Sequence, residues 1–459
     1  MVKYFFFVFL FLLPLQTVYL LREVMVGGEK WQYGTIAIYG TDILLLLGIL
    51  FYFVIPSVIE GSQKIKHRFL SASWRIGMTE KILLLFLFWT GASIFWAPDQ
   101  MLAGYFFVKL LLAAGVFFLA RSLDDDDVKI AFRVLIIGVV LQSLLGTWQF
   151  LSQSTFASTL LGMSAHEVWQ AGTSVLKNDT GRFLRAYGTF PHPNILGGFL
   201  SAVLVLGVAY QAFQTKTQEV RGTRQDGCIG IAYLLSRISY HVSLLIILLG
   251  LILTFSRSAW LGAALGVIVY IVFRIKYHVW GKWDTRMLLT LGIATAIFVG
   301  VLHETVFPRF DGAVIEREGS VSERVQSLED AKVVIGEGNV LLGTGAGNFT
   351  VQVMRLQPER SVWTIQPAHN VPVLVFAELG LVGLILFVAF LFSVILNAVK
   401  NLEIPLRQSA DRNDNQGHST MYIAALVVLV PILLLDHYLW TSHFGLFFLF
   451  LLLGLASRK

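Results

Sequence analysis

Three stretches of this sequence place charged or titratable side chains where apolar residues would otherwise run on. In Leu253-Thr-Phe-Ser-Arg-Ser-Ala-Trp-Leu-Gly262, a hairpin of three residues joins two apolar runs, and Arg257 sits in it. A charge at that depth is costly and is usually paired or functional. An arginine that only snorkels to headgroups has no need of flanking serines and so tight a turn. In Ala368-His-Asn-Val-Pro-Val-Leu-Val-Phe-Ala-Glu-Leu-Gly380, His369 and Asn370 stand at the mouth of an apolar stretch, with Glu378 nine residues inside it. Histidine titrates near about pH 6.5, which suits a general base. Asn370 reads equally well as a helix cap. A carboxylate within an apolar span is a functional candidate by default. In Leu435-Asp-His-Tyr-Leu-Trp-Thr441, Asp436 could orient His437 or pair with an arginine, while Tyr438 and Trp440 are also what an interfacial aromatic belt uses.

Further stretches could assist. Arg185-Ala-Tyr-Gly-Thr-Phe-Pro-His-Pro-Asn-Ile-Leu-Gly197 ends a polar segment and opens a helix. Pro193 fits the first helical turn, where its missing N–H costs nothing. His192 and Asn194 then lie at a helix mouth that favours anions, or the stretch is simply a rigid turn. Arg324 falls in the first turn of an amphipathic helix whose Val321, Val325, Leu328, Ala331 and Ile335 share one face. That face is expected on the membrane or on the helix bundle, and Arg324 alone would read as a solvated residue. Gly343-Thr-Gly-Ala-Gly-Asn-Phe349 looks like a nucleotide loop but lacks the Lys-Ser/Thr of a P-loop, so it reads as a tight turn. The single cysteine, Cys228, excludes an internal disulfide and a cysteine metal cluster. No Asp-x-Asp pair stands near these stretches to hold a divalent cation, and no cofactor is expected.

The elements that must carry these residues are membrane helices. The 459 residues are 56% hydrophobic and 14% charged, with a mean hydropathy of +0.71, against roughly 25% charged in soluble domains. A spanning helix needs about 20 apolar residues. Spans are expected near 4–21, 36–56, 81–97, 101–120, 130–151, 194–213, 239–255, 258–273, 287–303, 369–398, 420–436 and 440–456. The first is read as a span because it is long for a signal peptide and no cleavage site follows. Twelve spans put both termini on one side. The loops on that side, with the termini and span ends there, hold 22 of the 35 Lys and Arg, including Lys64, Lys66, Arg68, Arg75, Arg224 and Arg407. By the positive-inside rule that side is the cytoplasm. Outside fall two long segments, 152–193 and 304–368, together with the Arg257 and His437 turns. The fold class is therefore an all-α polytopic membrane protein, residues 1–459 forming one integral domain, with the large outer loop 304–368 between spans 9 and 10. The net charge of +6 is spread over short loops, so nucleic acid is not an expected partner.

Taken together, these segments resemble the O-antigen ligase and polymerase superfamily. The resemblance rests on G-T-F-x-H-P-N-x-L-G at 188–197, T-x-S-R-x-A-W-L-G at 254–262 and L-L-G-x-G-x-G-N-F at 341–349. Ala-His-Asn at 368–370 and D-H-Y-x-W-T at 436–441 complete it. It is strongest over 180–445. It implies transfer of a glycan from an undecaprenyl-diphosphate carrier to the hydroxyl of a glycan or lipid acceptor, on the outer face of a bacterial inner membrane. The reaction would be inverting and independent of metal. Arg257 and Arg324 would hold the diphosphate and His369 would be the base. Arg185, His192, Asn194, Asn370, Glu378, Asp436 and His437 are further candidates for substrate contact. Ligase and polymerase differ only in the acceptor. A transporter or flippase would instead use Lys109 and Glu378 at mid-depth.

Overall fold

The computed structural model of the protein describes residues 2–59, 77–178, 181–222, 230–311, 320–403 and 409–458. Several of the basic loop residues that fix the expected orientation (Lys64, Lys66, Arg68, Arg75, Arg224, Arg407), and Cys228, lie outside that set. The chain is mostly helical, as it must be where lipid offers the backbone no hydrogen bonds. In chain order the long helices are α1 Val2–Leu12, α2 Gly40–Ile59, α3 Met78–Ala92, α4 Gln100–Arg121, α5 Asp125–Ser152, α6 Pro193–Gly222, α7 Gly230–Leu253, α8 Arg257–Lys276 and α9 Lys282–Val301. After the short helix α10 (His303–Val306) come α11 Ser320–Glu337, α12 Phe349–Leu356, α13 Val371–Glu403 and α14 Ser409–Leu435. The one-turn helix α15 (Tyr438–Thr441) and α16 His443–Ala456 complete the chain.

Among the described residues, seven helices are long and apolar enough to cross a membrane, and four shorter apolar helices accompany them. The chain is a multi-pass membrane protein. Two expected spans begin or end differently. The first helix stops at Leu12, and Val18–Arg22 forms a strand that pairs antiparallel with Ile36–Tyr39, so the second helix starts only at Gly40. Thr17, Val18 and Tyr19 favour extended structure, and the pairing supplies the partners that the backbone lacks once the helix has ended. Two smaller ribbons, Met25–Val26 with Glu29–Lys30 and Val175–Asn178 with Gly181–Leu184, are likewise irregularities in an otherwise helical chain.

Residues Met1–Ala131, Glu323–Leu396 and Leu433–Arg458 form one compact unit. Its centre is α16, buried along its whole length, as an apolar-all-round helix should be. It lies along α4, where Gly454 lets it reach the backbone of Phe117. Beside it Trp440 packs on Phe86, Phe106 and Phe387. Lys109, the one cation of α4's interior, is ion-paired with Asp42. Thr41 Oγ1 stands 2.7 Å from His443 Nε2 in the same cluster. Here α13 is broken at Gly380 (φ 67°). The break frees carbonyls that the glycine turn takes up: Thr344 N–H donates to Ala377 O (3.0 Å) and Gly345 N–H to Glu378 O (2.7 Å). A Cβ on Gly343 would lie 2.5 Å from Glu378 O, so only glycine fits there.

The expected face of α11 is divided, with Ala331 buried on the unit. Val321, Val325 and Leu328 are exposed, which excludes the bundle as their partner, and the buried stripe is Ser327, Asp330, Ala331 and Val334. Buried Asp330 sets that orientation, because it accepts two bonds from Arg360 (2.7 and 2.8 Å) that would be lost if the helix turned.

Residues Phe132–Ser322 and Asn397–Ile432 form the second unit. The first turns of α6, from Pro193 to Gln211, are almost wholly buried at its centre. Helix α8 approaches α14 at two glycines: a Cβ on Gly262 would lie 2.5 Å from Val428 O, and one on Gly266 would lie 3.0 Å from Ala424 O. A Cβ on Gly292, by contrast, would meet nothing within 4 Å. We therefore expect Gly262→Val to cost about 1–3 kcal/mol and to lower the thermal unfolding midpoint of the detergent-purified protein, with Gly292→Val close to wild type. Equal midpoints for the two variants would contradict the close α8–α14 contact.

Candidate active site

In the first unit the residues of interest gather where α11 and the mouths of α13 and α15 meet. Ser327, buried one turn beyond Arg324, donates its Oγ–H to Arg324 O (2.9 Å) and accepts from the backbone N–H of His369 (3.2 Å). Its Oγ also lies 3.4 Å from His369 Nδ1. The Nε–H of Arg324 donates to Leu435 O (3.2 Å), at the end of α14. His369 meets His437 edge to face, the ring centroids 4.9 Å apart. His437 Nδ1 is 2.7 Å from Thr441 Oγ1, and buried Asp436 accepts from the His437 N–H (2.8 Å). Loss of solvent lowers the His369 pKa, with Asp436 opposing and Arg324 reinforcing that shift. The same loss of solvent brings His437 down to about 4. Both imidazoles are neutral at pH 7, the form that can accept a proton.

Two neighbours are occupied in holding the site. Asn370 caps α13 by accepting from Val373 N–H (3.0 Å), and its Nδ2 donates to Leu434 O (3.0 Å). Glu378 is buried, and its Oε2 accepts from the indole N–H of Trp440 (2.9 Å). Two residues before the Gly380 break, it joins the glycine turn, through its backbone O, to the aromatic centre of the unit.

In the second unit the turn between α7 and α8 is the focus. Phe255 adopts a positive φ (48°), unusual for a side chain of that size. Buried Arg185 spends its guanidinium on three acceptors: Thr254 O (2.7 Å), Ser174 Oγ (2.8 Å) and Asn194 Oδ1 (2.7 Å). Asn194 N–H in turn donates to Nδ1 of the exposed His192 (3.1 Å). The stretch before α6 is thus stitched to the turn, and the Gln149 side chain secures it by accepting from the N–H groups of Tyr187 and Gly188. Arg257 opens α8, partly exposed, with a long 3.4 Å contact to Arg309 O. The guanidinium of buried Arg309 donates to Phe255 O (3.1 Å). Among the described residues, no group of three His, Cys, Asp or Glu is placed to hold a metal ion.

Residues 242–388 match the O-antigen ligase family. Over that stretch the chain is similar to the O-antigen ligases. No curated protein sequence matches the chain significantly. The matched region holds Arg257, Arg324, His369, Asn370 and Glu378, while Arg185, His192, Asn194, Asp436 and His437 lie beyond its ends. The matched stretch is 147 of the 459 residues.

Within this matched stretch, the sequence pattern did not single out Ser327 and Arg309. Ser327 could have been found from the i, i+4, i+7 stripe it forms with Ala331 and Val334. For Arg309 the one signal is its setting between Phe307 and Phe310, which gives no hint of its partner. The low His437 pKa has a consequence for stability. An imidazole with a folded pKa near 4 and an unfolded value near about 6.5 stabilises the fold fully above about pH 6.5. That contribution is lost as the pH falls through the interval between the two values. Wild type should lose at most about 3 kcal/mol more than His437→Gln between pH 7 and 4.5. Denaturation midpoints followed over that range check it, and parallel curves would show that His437 is not desolvated.

Proposed function

We propose that this protein transfers a glycan from an undecaprenyl-diphosphate carrier to an acceptor hydroxyl on the outer face of a bacterial inner membrane, with both termini in the cytoplasm. The observation that carries the reading is a cation held near a base: Ser327 ties the Arg324 carbonyl to the His369 N–H, and the Arg324 charge is felt by the His369 imidazole. Phosphate oxygens and an acceptor hydroxyl are what such a pair would serve. His369 Nδ1 faces Ser327, so Nε2 takes the proton from the acceptor hydroxyl. The acceptor oxygen attacks the anomeric carbon as its bond to the diphosphate breaks, and the diphosphate leaves with the bonding electrons. A single displacement inverts the anomeric centre. Charge grows on the diphosphate during this step, and a guanidinium neutralises it best there. Arg324 supplies one, and Arg257 supplies another by its place in the T-x-S-R-x-A-W-L-G pattern. A lipid diphosphate is already an activated leaving group, so neither nucleotide nor metal is required.

A polymerase uses the same donor and chemistry and differs in taking a second carrier-linked glycan as acceptor. The two residues a transporter would use are both held by protein partners, Lys109 by Asp42 and Glu378 by Trp440.

The purified protein, given an undecaprenyl-diphosphate-linked oligosaccharide and candidate acceptors in EDTA, should transfer glycan. His369→Ala should lower the rate by about 10²–10⁴-fold, and Arg257→Ala and Arg324→Ala should lower it as well. Transfer that survives His369→Ala and Arg257→Ala would sink these assignments. The pH profile gives a separate check. Its acid limb should lie below about 6.5, since burial lowers the His369 pKa. Asp436→Asn should move the limb further down by removing a charge that stabilises imidazolium, and Arg324→Gln should move it up.

A further inference from the structure

The segment after α5, which hydropathy leaves outside the membrane, turns back along the face that this helix shows to lipid. We infer that the segment's tip, residues 159–162, sits in the membrane leaflet at that end of α5 and anchors the second unit to it. Its partner is the lipid of that leaflet, whatever reaction the protein carries out.

Along α5 the exposed apolar residues Ile130, Ile137, Leu141, Leu144, Trp148 and Leu151 fall at helical spacing on one face. In a multi-pass protein such a face meets lipid tails. The helix ends at Ser152, and Gln153 takes a positive φ (54°) that reverses the chain. Phe156 then packs edge to face on Trp148, the ring centroids 5.7 Å apart. Trp148 lies about 6 Å short of the helix end. The returning chain therefore descends beside the lipid face of α5, where its outer neighbour is lipid as well.

The tip has the backbone that a membrane requires. Ser158 and Met163 exchange both backbone hydrogen bonds (3.0 and 2.9 Å), and Gly162 closes the turn at φ 66°. Inside it the Leu161 N–H donates to Ser158 Oγ (3.3 Å) and the Gly162 N–H to Thr159 O (3.3 Å). Amides occupied in this way can leave water at little cost. Leu160, at the apex, is 75% exposed, which is unfavourable in water and favourable in hydrocarbon. From Ser152 to Leu176 the one charged side chain is Glu167, where a water-facing stretch of that length would carry about six.

Farther along the segment come the groups of a headgroup layer. Trp169 is 79% exposed, the Arg182 guanidinium lies 5.3 Å from its ring centroid, and Lys177 pairs across the ribbon with Arg182. Indoles and long cationic side chains are what the membrane–water interface gathers. The anchor is also tied to the stretch that braces the Arg257 turn. Gln153 Oε1 accepts from the Leu184 N–H (2.8 Å), and the His166 ring stacks on Tyr187 at 4.6 Å. Insertion of the tip thereby sets the depth at which Arg185 and the turn it braces sit in the membrane.

Spin-label accessibility on the full-length protein in phospholipid vesicles tests this without any transfer reaction. Cys228→Ser removes the one cysteine, and Leu160→Cys then carries a nitroxide. Leu144→Cys, on the lipid face of α5, and Glu167→Cys serve as the lipid and water references. All three label sites are exposed, so the labelled variants should fold. At position 160 relaxation by oxygen, which concentrates in hydrocarbon, should exceed relaxation by a water-soluble nickel chelate, as at 144, with the order reversed at 167. Leu161→Asp beside the label should reverse the order at 160 too, because a carboxylate pulls the tip into water. A stronger nickel effect at 160 in the otherwise unchanged tip places it in water and overturns the anchor. Weak relaxation by both agents means that protein covers the tip, a second copy or another chain, and overturns it as well. An oxygen-led signal that survives Leu161→Asp would come from the nitroxide's own affinity for lipid, with the same consequence.

Discussion

The break in α13 at Gly380 is the constraint on which the first unit depends. A helix interrupted among apolar neighbours exposes carbonyls that have no water to bond, so they must be met by the protein. The Gly343–Phe349 turn meets them from one side with the amides of Thr344 and Gly345. The indole of Trp89 meets Leu379 O from another, at 2.8 Å. Glu378, next to the break, then joins the same knot to Trp440 through its side chain. The N-terminal half of α13 is thereby held at both ends, and its mouth presents His369 and Asn370 in fixed positions. Three glycines with positive φ at 343, 345 and 347 make the turn narrow enough to reach in.

The second theme is how this chain keeps charges in apolar surroundings. Lys109 has Asp42, Arg274 has Asp284 at 2.7 Å, and Asp330 has Arg360. Each pair removes the penalty that an isolated charge would carry. Arg185 reaches the same end with neutral acceptors, a carbonyl, a hydroxyl and an amide, and so becomes a structural strut for the turn before α6. Arg257 differs from it in being partly exposed, at the opening of α8.

His369 illustrates the division between local and distant causes. Its place at the opening of an apolar helix follows from neighbours within a few residues. Its chemistry depends on Ser327, 42 residues earlier, and on His437 and Asp436, more than 60 residues later. Burial by these neighbours keeps the imidazole neutral, and the serine fixes which nitrogen is free.

Most of the helices, the tight glycine turn, the hairpin that carries Arg257 and the opening that carries His369 are legible in the residues alone. All of these follow from hydropathy and turn chemistry over short windows, where periodicity and glycine placement can be read directly. The residues also show that a lysine and a glutamate stand within apolar runs. What they bind is set by the packing of distant segments: Asp42 lies 67 residues from Lys109, and Trp440 lies 62 from Glu378. That packing likewise decides that Val321, Val325 and Leu328 face outward, because the ion pair of Asp330 with Arg360 outweighs the apolar stripe. The first helix ends at Leu12, short of where hydropathy would carry it, because the segment after it finds a strand partner at Ile36–Tyr39. Hydropathy is a property of each residue and its near neighbours, whereas the partner of a buried polar group is set by the fold that brings distant segments together.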